Sequence, residues 1–238
     1  MTLTLTQAEH ERNDRTVDSS IGPDRRLLVG YLHKTSNTLC GIKGYASLIA
    51  DRGLPDGETG RWARKIILEV ERMEEIFRSV GDLTRGRQSP DTGIDLPGYV
   101  TETAFSCAEN LGIEKCRLGD LPSGELLLPA ADLALIIHEV LKNCAESAGT
   151  ARPQVDVEIS GVTGADNRIL LEIRDNGCGM SRDLARQVAA PFVTTKDDHP
   201  GVGLTRVDTL MEMYGLQWGL DSEEGQGTRV FMEVAEAI

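Results

Sequence analysis

No stretch of this 238-residue chain is apolar for the ~20 residues that a bilayer-spanning helix needs. The N-terminus, MTLTLTQAEHERNDR, lacks the charged-then-apolar order of a secretion signal. These two absences predict a cytoplasmic protein with no membrane insertion. Positive charge is also scarce. There are 25 Lys and Arg against 38 Asp and Glu, a net charge of −13, and no Lys/Arg-rich run. Nucleic-acid binding rests on neutralising phosphates with those cations, so a nucleic-acid coat is excluded. The five cysteines (Cys40, Cys107, Cys116, Cys144, Cys178) fall at unrelated spacings without a C-x-x-C pair. That argues against zinc or a disulfide framework and leaves thiols that pack as small apolar groups. The P-loop string G-x-x-x-x-G-K-[ST] is missing, as are internal repeats and low-complexity tracts. What is there is globular: 40% hydrophobic and 26% charged residues, in a length that suits one large domain or two small ones. The acidity favours solubility and a basic partner surface.

Residues 1–21 are polar and aperiodic and read as an arm. After Gly22-Pro23-Asp24, the positions Leu28, Leu32, Thr35, Leu39, Ile42, Ala46 and Ile49 step alternately by four and three. That is the heptad seam of a helix in a bundle or coiled coil. Gly53-Leu54-Pro55-Asp56-Gly57 breaks it, and Trp62, Ile66, Glu69, Met73, Ile76, Val80 and Leu83 start it again, with Val70 beside the polar Glu69. Two such helices make an antiparallel hairpin with one bare apolar face. Pairing two copies into a four-helix bundle covers that face, so a homodimer is expected. The turn-rich GRQSPDTG at 86–93 reads as a linker.

Beyond it the pattern mixes. Helices are expected over 97–110, 130–148 and 203–214. Strands are expected at 114–118 and 125–128, through Val155, Val157 and Ile159, through Ile169, Leu171 and Ile173, and at 217–220 and 229–234. Gly161–Asn167 reads as a hairpin loop. The fold class is α+β, with helices on one face of a sheet. The chain thus divides into an arm (1–21), a helical hairpin (22–87), a linker (88–95) and an α+β domain (96–238).

Four signals in this domain carry chemistry, and their order says more than any one of them. On the helix 130–148, Leu133, Ile136, Ile137, Val140, Leu141 and Cys144 form an apolar face, and Glu139, Lys142, Asn143 and Glu146 lie opposite. Alone, that polar stripe reads as a solvated surface. In a site, Asn143 offers an amide oxygen to Mg²⁺ and Lys142 a point charge to phosphate. Second, Asp175-Asn176-Gly177-Cys178-Gly179 follows a strand directly. A buried carboxylate there can accept a hydrogen bond from an exocyclic amine, as on adenine. Third is Pro191-Phe192-Val193-Thr194-Thr195-Lys196. Fourth, Gly201-Val202-Gly203-Leu204 leads into a helix whose N-terminal N–H groups and dipole suit an anion. Last, Gly225-Gln226-Gly227-Thr228 opens the final strand.

With these motifs, residues 129–238 resemble the ATP-binding domain shared by sensor histidine kinases, type II topoisomerases, heat-shock chaperone ATPases and mismatch-repair ATPases. Glu139-Val-Leu-Lys-Asn143 looks like its N box, Asp175-Asn-Gly-Cys-Gly179 like its D-x-G-x-G box, and Pro191–Lys196 like its F box. Gly201-Val-Gly203-Leu and Gly225-Gln-Gly-Thr228 look like its two later glycine boxes. P-F-x-T-T-K points to the histidine kinases within this group. The resemblance implies an α/β sandwich of the Bergerat type holding ATP under a lid at about 194–203. It implies Asn143 on Mg²⁺, Lys142 and Lys196 near phosphates, and Asp175 on the adenine amine. Gly177, Gly179, Gly201, Gly203 and Thr228 line the nucleotide, and Glu139 activates a nucleophile or holds a water on the metal.

His33 borders the first seam, one residue past Leu32, and should be reachable by solvent. Neutral imidazole is nucleophilic, and its ordinary pKa of ~6.5 keeps it mostly neutral in the cell. Asn37 lies one turn along the same face and could orient a water or a phosphoryl group. The segment Leu32-His33-Lys34-Thr35-Ser36-Asn37-Thr38 is similar to the H box of histidine kinases, H-[ED]-x-x-[NT]-P, and Gly41-Ile42-Lys43-Gly44-Tyr45 follows as in that family. Lys34 stands where the family has an acidic residue and Thr38 where it has proline. His10, His138 and His199 read as structural or incidental.

The expected function is ATP-dependent autophosphorylation of His33, then transfer to an aspartate on the receiver domain of a response regulator. No sensory domain is legible before residue 22, so input is expected from a separate sensor protein or kinase, or from a part outside this chain. Three other readings stay open: a dimeric adaptor that has lost kinase activity, a phosphatase-biased member that uses Asn37 to place water on a phospho-aspartate, and a different ATPase of the same superfamily.

Overall fold

The structure is a computed structural model that describes residues 35–36, 39–49, 58–85, 87–148, 154–164, 166–190, 193 and 201–238. The chain divides between residues 70 and 71 into two units. In the first, residues 39–49 form helix α1. Leu39 and Ala46, one heptad apart, are buried as the seam predicts, while Ile42 and Ile49 are exposed. Helix α2 runs from Glu58 to Arg85, so its residues up to Val70 belong to the first unit and the rest to the second. Its buried positions Ala63 and Val70 are again one heptad apart. They lie one residue past Trp62 and Glu69, so this stripe is rotated from the predicted seam. The cause is size and charge: alanine and valine allow close packing where an indole and a carboxylate do not. Trp62 is left 64% exposed, and Ile66 and Met73 are exposed with it. The turn at 53–57 and the seam residues Leu28 and Leu32 lie outside the described residues.

The second unit contains a six-stranded sheet. Helix α3 (Leu96–Asn110) starts at Asp95, whose carboxylate accepts from the N–H of Gly98, with Pro97 in the first turn. Strands β1 (Lys115–Leu118) and β2 (Gly124–Leu126) follow, then helix α4 (Ala130–Glu146). Strands β3 (Asp156–Thr163) and β4 (Arg168–Asp175) form a hairpin. The short helix α5 (Arg182–Gln187), helix α6 (Gly203–Tyr214), and strands β5 (Trp218–Glu223) and β6 (Gly227–Ala237) complete the unit.

The strand order is β1-β3-β4-β6-β2, and β5 also pairs with β6. Among the described residues only the β1–β3 pairing is parallel. β6 therefore serves three strands: β4 on one side, and on the other β5 along its first half and β2 at its end. The hairpin loop is shorter than expected, because the ladder continues through Gly161, Val162 and Thr163 opposite Leu171, Leu170 and Ile169.

One side of the sheet carries the helices. Alternating Val157 and Ile159, then Ile169, Leu171 and Ile173, then Val230, Met232 and Val234 are buried against them. A register shift between Ile169 and Leu170 breaks the alternation on β6, so Val234 and Ala235 are both buried. The apolar face predicted for α4 is fully buried. α6 packs beside α4 through Val207, Leu210 and Met211, and its Tyr214 hydroxyl donates to the buried Asp132 of α4 at 2.6 Å. That bond fixes the C-terminal end of α6, so the other end falls beside the polar side of α4.

Candidate functional site

Asp175 ends β4 and is 5% exposed. Three donors converge on its Oδ1: the N–H of Gly177 at 2.7 Å, and the N–H of Thr228 and the Ser147 hydroxyl, both at 3.3 Å. The Cys144 thiol also donates to this carboxylate. Burial raises the pKa of Asp175, and the four donors offset part of the rise. Burial, with the charge of Asp175 next, holds Cys144 well above the ordinary thiol range, so it stays protonated.

The turn after Asp175 is pinned from three sides. The N–H of Cys178 reaches the Ser147 carbonyl at 3.0 Å, Asn176 accepts from the N–H of Asp156 at 2.9 Å, and the N–H of Met180 reaches the Ser222 hydroxyl at 2.9 Å. Two glycines make this packing possible. Gly179 has φ +63°, and a Cβ there would overlap the Glu223 carbonyl. Gly227 has φ +94°, and its Cβ would overlap the Asp175 carbonyl.

The polar side of α4 is not a solvated surface. Glu139 is 8% exposed, and its Oε1 pairs at 2.5 Å with Nη1 of Arg206 on α6. An ideal Cβ on Gly203 would lie 3.0 Å from Glu139 Oε2 and 3.8 Å from Asn143 Nδ2, so the start of α6 lies directly over these two side chains. That start has no side-chain cap among the described residues, and the N–H groups of a first helical turn have no acceptor within the helix. Nδ2 of Asn143 and Oγ1 of Thr205 are buried without a hydrogen-bond partner among the described residues. Unpaired buried polar atoms are rare and call for a partner.

Asp175, Cys144, Ser147, Thr228, Glu139, Asn143, Gly203 and Arg206 border one cavity of about 400 Å³, inside the ~300–1,000 Å³ range of small-molecule sites. Of the predicted residues, Glu139, Lys142, Asn143, Asp175, Gly179, Gly201, Gly203 and Thr228 line it. Gly177 does not, but it sits directly behind Asp175. Leu135, Val140, Leu184, Val188, Leu220 and Val230 give it an apolar wall, the kind of surface a flat base packs against. His138, read from sequence as incidental, also borders it. His33, Asn37 and Lys196 lie outside the described residues, as do Lys34, Thr38, His10, His199 and most of the expected lid.

Sequence reasoning missed two residues. Ser147 continues the four-residue spacing of Glu139 and Asn143, a signal that was available. Arg206 is joined to Glu139 across 67 positions of sequence, and no local pattern announces it.

The carboxylate at one end of the cavity, the open helix start at the other and the apolar wall between them define a nucleotide-binding α/β domain. Residues 129–238 match the family of histidine kinase-, DNA gyrase B-, and HSP90-like ATPases, and this domain belongs to it. The chain as a whole is a relative of the sensor histidine kinases. It is 23% identical over 204 residues to sensor histidine kinase ZraS of Salmonella typhi, covering 84% of this chain and 43% of the relative. It is 26% identical over 229 residues to sporulation kinase D of Bacillus subtilis (strain 168), covering 94% of this chain and 44% of the relative. The chain thus spans less than half the length of these two relatives. Among solved structures, full-length ShkA in complex with AMPPNP superposes with a TM-score of 0.66 at 21% identity, over 90% of this chain and 46% of that one. The Acinetobacter baumannii histidine kinase AdeS gives 0.58 at 14% identity, over 86% and 98%. These likenesses are likenesses of fold. Among the described residues no helix is long and apolar enough to cross a membrane.

Proposed function

We propose that this chain is the core of a two-component sensor histidine kinase. In this reading it binds ATP with Mg²⁺ in the domain 96–238, phosphorylates His33 in the hairpin 22–87, and passes the phosphoryl group to an aspartate on the receiver domain of a response regulator. The observation that carries the reading is the meeting of Asp175, Lys142, Asn143, Glu139 and the open start of α6 in one cavity, in a chain related to sensor histidine kinases.

The cavity has a direction. Ser147, against Asp175, and Glu139, against α6, are eight positions apart on one side of α4, or about 12 Å of rise at ~1.5 Å per residue. Asp175 takes the base amine at one end. Lys142, Gly201, Gly203 and the α6 N–H groups hold the phosphates at the other, joined by Lys196 of the lid. Asn143 borders the cavity beside Glu139 and would offer its amide oxygen to Mg²⁺, which takes oxygen ligands, while its Nδ2, a donor without a partner among the described residues, suits a phosphate oxygen. When bound, the ion would neutralise phosphate charge.

In the transfer, an imidazole nitrogen of His33 attacks the γ-phosphorus. The bond to the bridging oxygen breaks and ADP leaves with that electron pair. Glu139 takes the imidazole proton, and Asn37 orients the phosphoryl group. Most of the rate enhancement is positioning and charge stabilisation.

The exposed Ile42, Ile49, Trp62, Ile66 and Met73 support a second copy packing onto α1 and α2 to complete a four-helix bundle. A reaction that draws on ATP supports a cytoplasmic location. The test is incubation with γ-labelled ATP and Mg²⁺, comparing the wild type with His33→Ala. Acid-labile, base-stable label on the wild type alone is the expected result. Bound nucleotide without label on either protein would leave an adaptor or a phosphatase.

A further inference from the structure

We propose that Arg206 senses the terminal phosphate: it holds Glu139 while the site is empty and exchanges it for the last phosphate of a bound triphosphate. The proposal rests on the cavity being the nucleotide site.

Arg206 and Glu139 form a largely buried ion pair, their side chains 13% and 10% exposed, and both border the cavity. The pair sits at the end where α6 begins, against Gly203, and next to a carboxamide of Asn143 whose Nδ2 has no partner among the described residues. A cation, a helix start with no side-chain cap and an amide nitrogen with no partner, both among the described residues, therefore meet about two turns along α4 from Ser147 and Asp175. A nucleotide whose base lies against Asp175 extends its last phosphate to that point.

Glu139 alone would repel this phosphate, and Arg206 removes the obstacle. A guanidinium has five donors in a planar fork that matches a phosphate's oxygens, so a phosphate can outbid a single carboxylate for it. A diphosphate ends short of Arg206 and leaves the ion pair closed. A triphosphate opens it and frees the Glu139 carboxylate. The proton acceptor thus becomes available only when a transferable phosphoryl group is present.

The experiment is equilibrium binding of ADP and of a non-hydrolysable ATP analogue to the full chain at fixed Mg²⁺. It compares wild type, Arg206→Gln, Arg206→Lys, Glu139→Gln and the double variant Glu139→Gln/Arg206→Gln. Arg206→Gln is expected to lose about tenfold or more in triphosphate affinity, the loss of a charged hydrogen bond, with a much smaller change for ADP. Arg206→Lys should fall between. Glu139→Gln removes the charge that competes with phosphate for Arg206 and should tighten the triphosphate several-fold, and this gain should vanish in the double variant. The double variant replaces the ion pair by two amides, so it keeps the comparison sound if Arg206→Gln alone fails to fold.

Equal weakening of both nucleotides in Arg206→Gln would make the residue structural and overturn the proposal. So would a gain in Glu139→Gln that persists without Arg206, since it would be simple relief of repulsion. A wild-type chain that binds neither nucleotide overturns the nucleotide reading itself, and this proposal with it.

Discussion

Burial raises the pKa of Asp175, and the donors from Gly177, Cys144, Thr228 and Ser147 recover only part of the cost. The folded chain therefore binds a proton at this position more readily than the unfolded chain does. Its contribution to stability is complete below the unfolded pKa and is lost as pH rises through the raised folded value. At neutral pH the ionised group is a burden on the fold that nucleotide binding requires. Asp175→Asn, which keeps an acceptor for the same N–H groups, should abolish nucleotide binding and hold or raise the thermal midpoint. Melting both proteins between pH 4 and 8 checks this: the variant should gain on the wild type as pH rises. An equal loss of stability at every pH would contradict it. Asp175 was legible in the sequence because its turn, its two glycines and the strand before it are contiguous. Arg206 and the buried state of Glu139 were not, because their partnership exists only after α6 has folded back onto α4.

At the scale of elements, α4, α6 and the strands β3 and β4 could be read from periodicity alone. α5 could not: at six residues it is too short to show a period, and only the Ser181 cap marks its start. The rotated stripe of α2 escaped for another reason. Heptad counting ranks Trp62 above Ala63, while packing prefers the smaller residue. The turn 225–228 shows how tightly elements constrain each other, since Gly227 lies against the Asp175 carbonyl. Gly227→Ala would force a side chain into a left-handed backbone region and into that carbonyl. Strain of this kind costs about 1–3 kcal/mol before the overlap is counted. Urea denaturation should show at least that loss, together with weakened nucleotide binding because Asp175 moves. A variant as stable as wild type would show that the turn relaxes freely.

For the whole molecule, composition and heptad pattern predicted an acidic chain with a helical part and an α+β part, and the motif order placed the site. Strand order was out of reach, because nothing local says that β6 lies between β4 and the pair β5 and β2. Quaternary state was predicted only through the need to cover apolar helix faces. If a second copy covers them, Trp62→Glu with Ile66→Glu should turn a dimer into a monomer in sedimentation experiments at micromolar concentration. Nucleotide affinity should be unchanged, since neither residue borders the cavity. A wild type that sediments as a monomer would remove the bundle from the reading.

The triple role of β6 has a consequence for how this domain is made. β1, β3 and β4 can pair as soon as they leave the ribosome. Among the described residues, β2 and β5 have no strand partner except β6, which is translated after both of them. Until residues 227–237 emerge, two strands wait unpaired, and Asp175 lacks the Thr228 N–H that helps hold its charge. The nucleotide site is therefore among the last parts of the nascent chain to become competent: a ribosome stalled before residue 227 would carry most of the residues that line the cavity but neither Thr228 nor Val230, and no β6 to hold β2 and β5 in place.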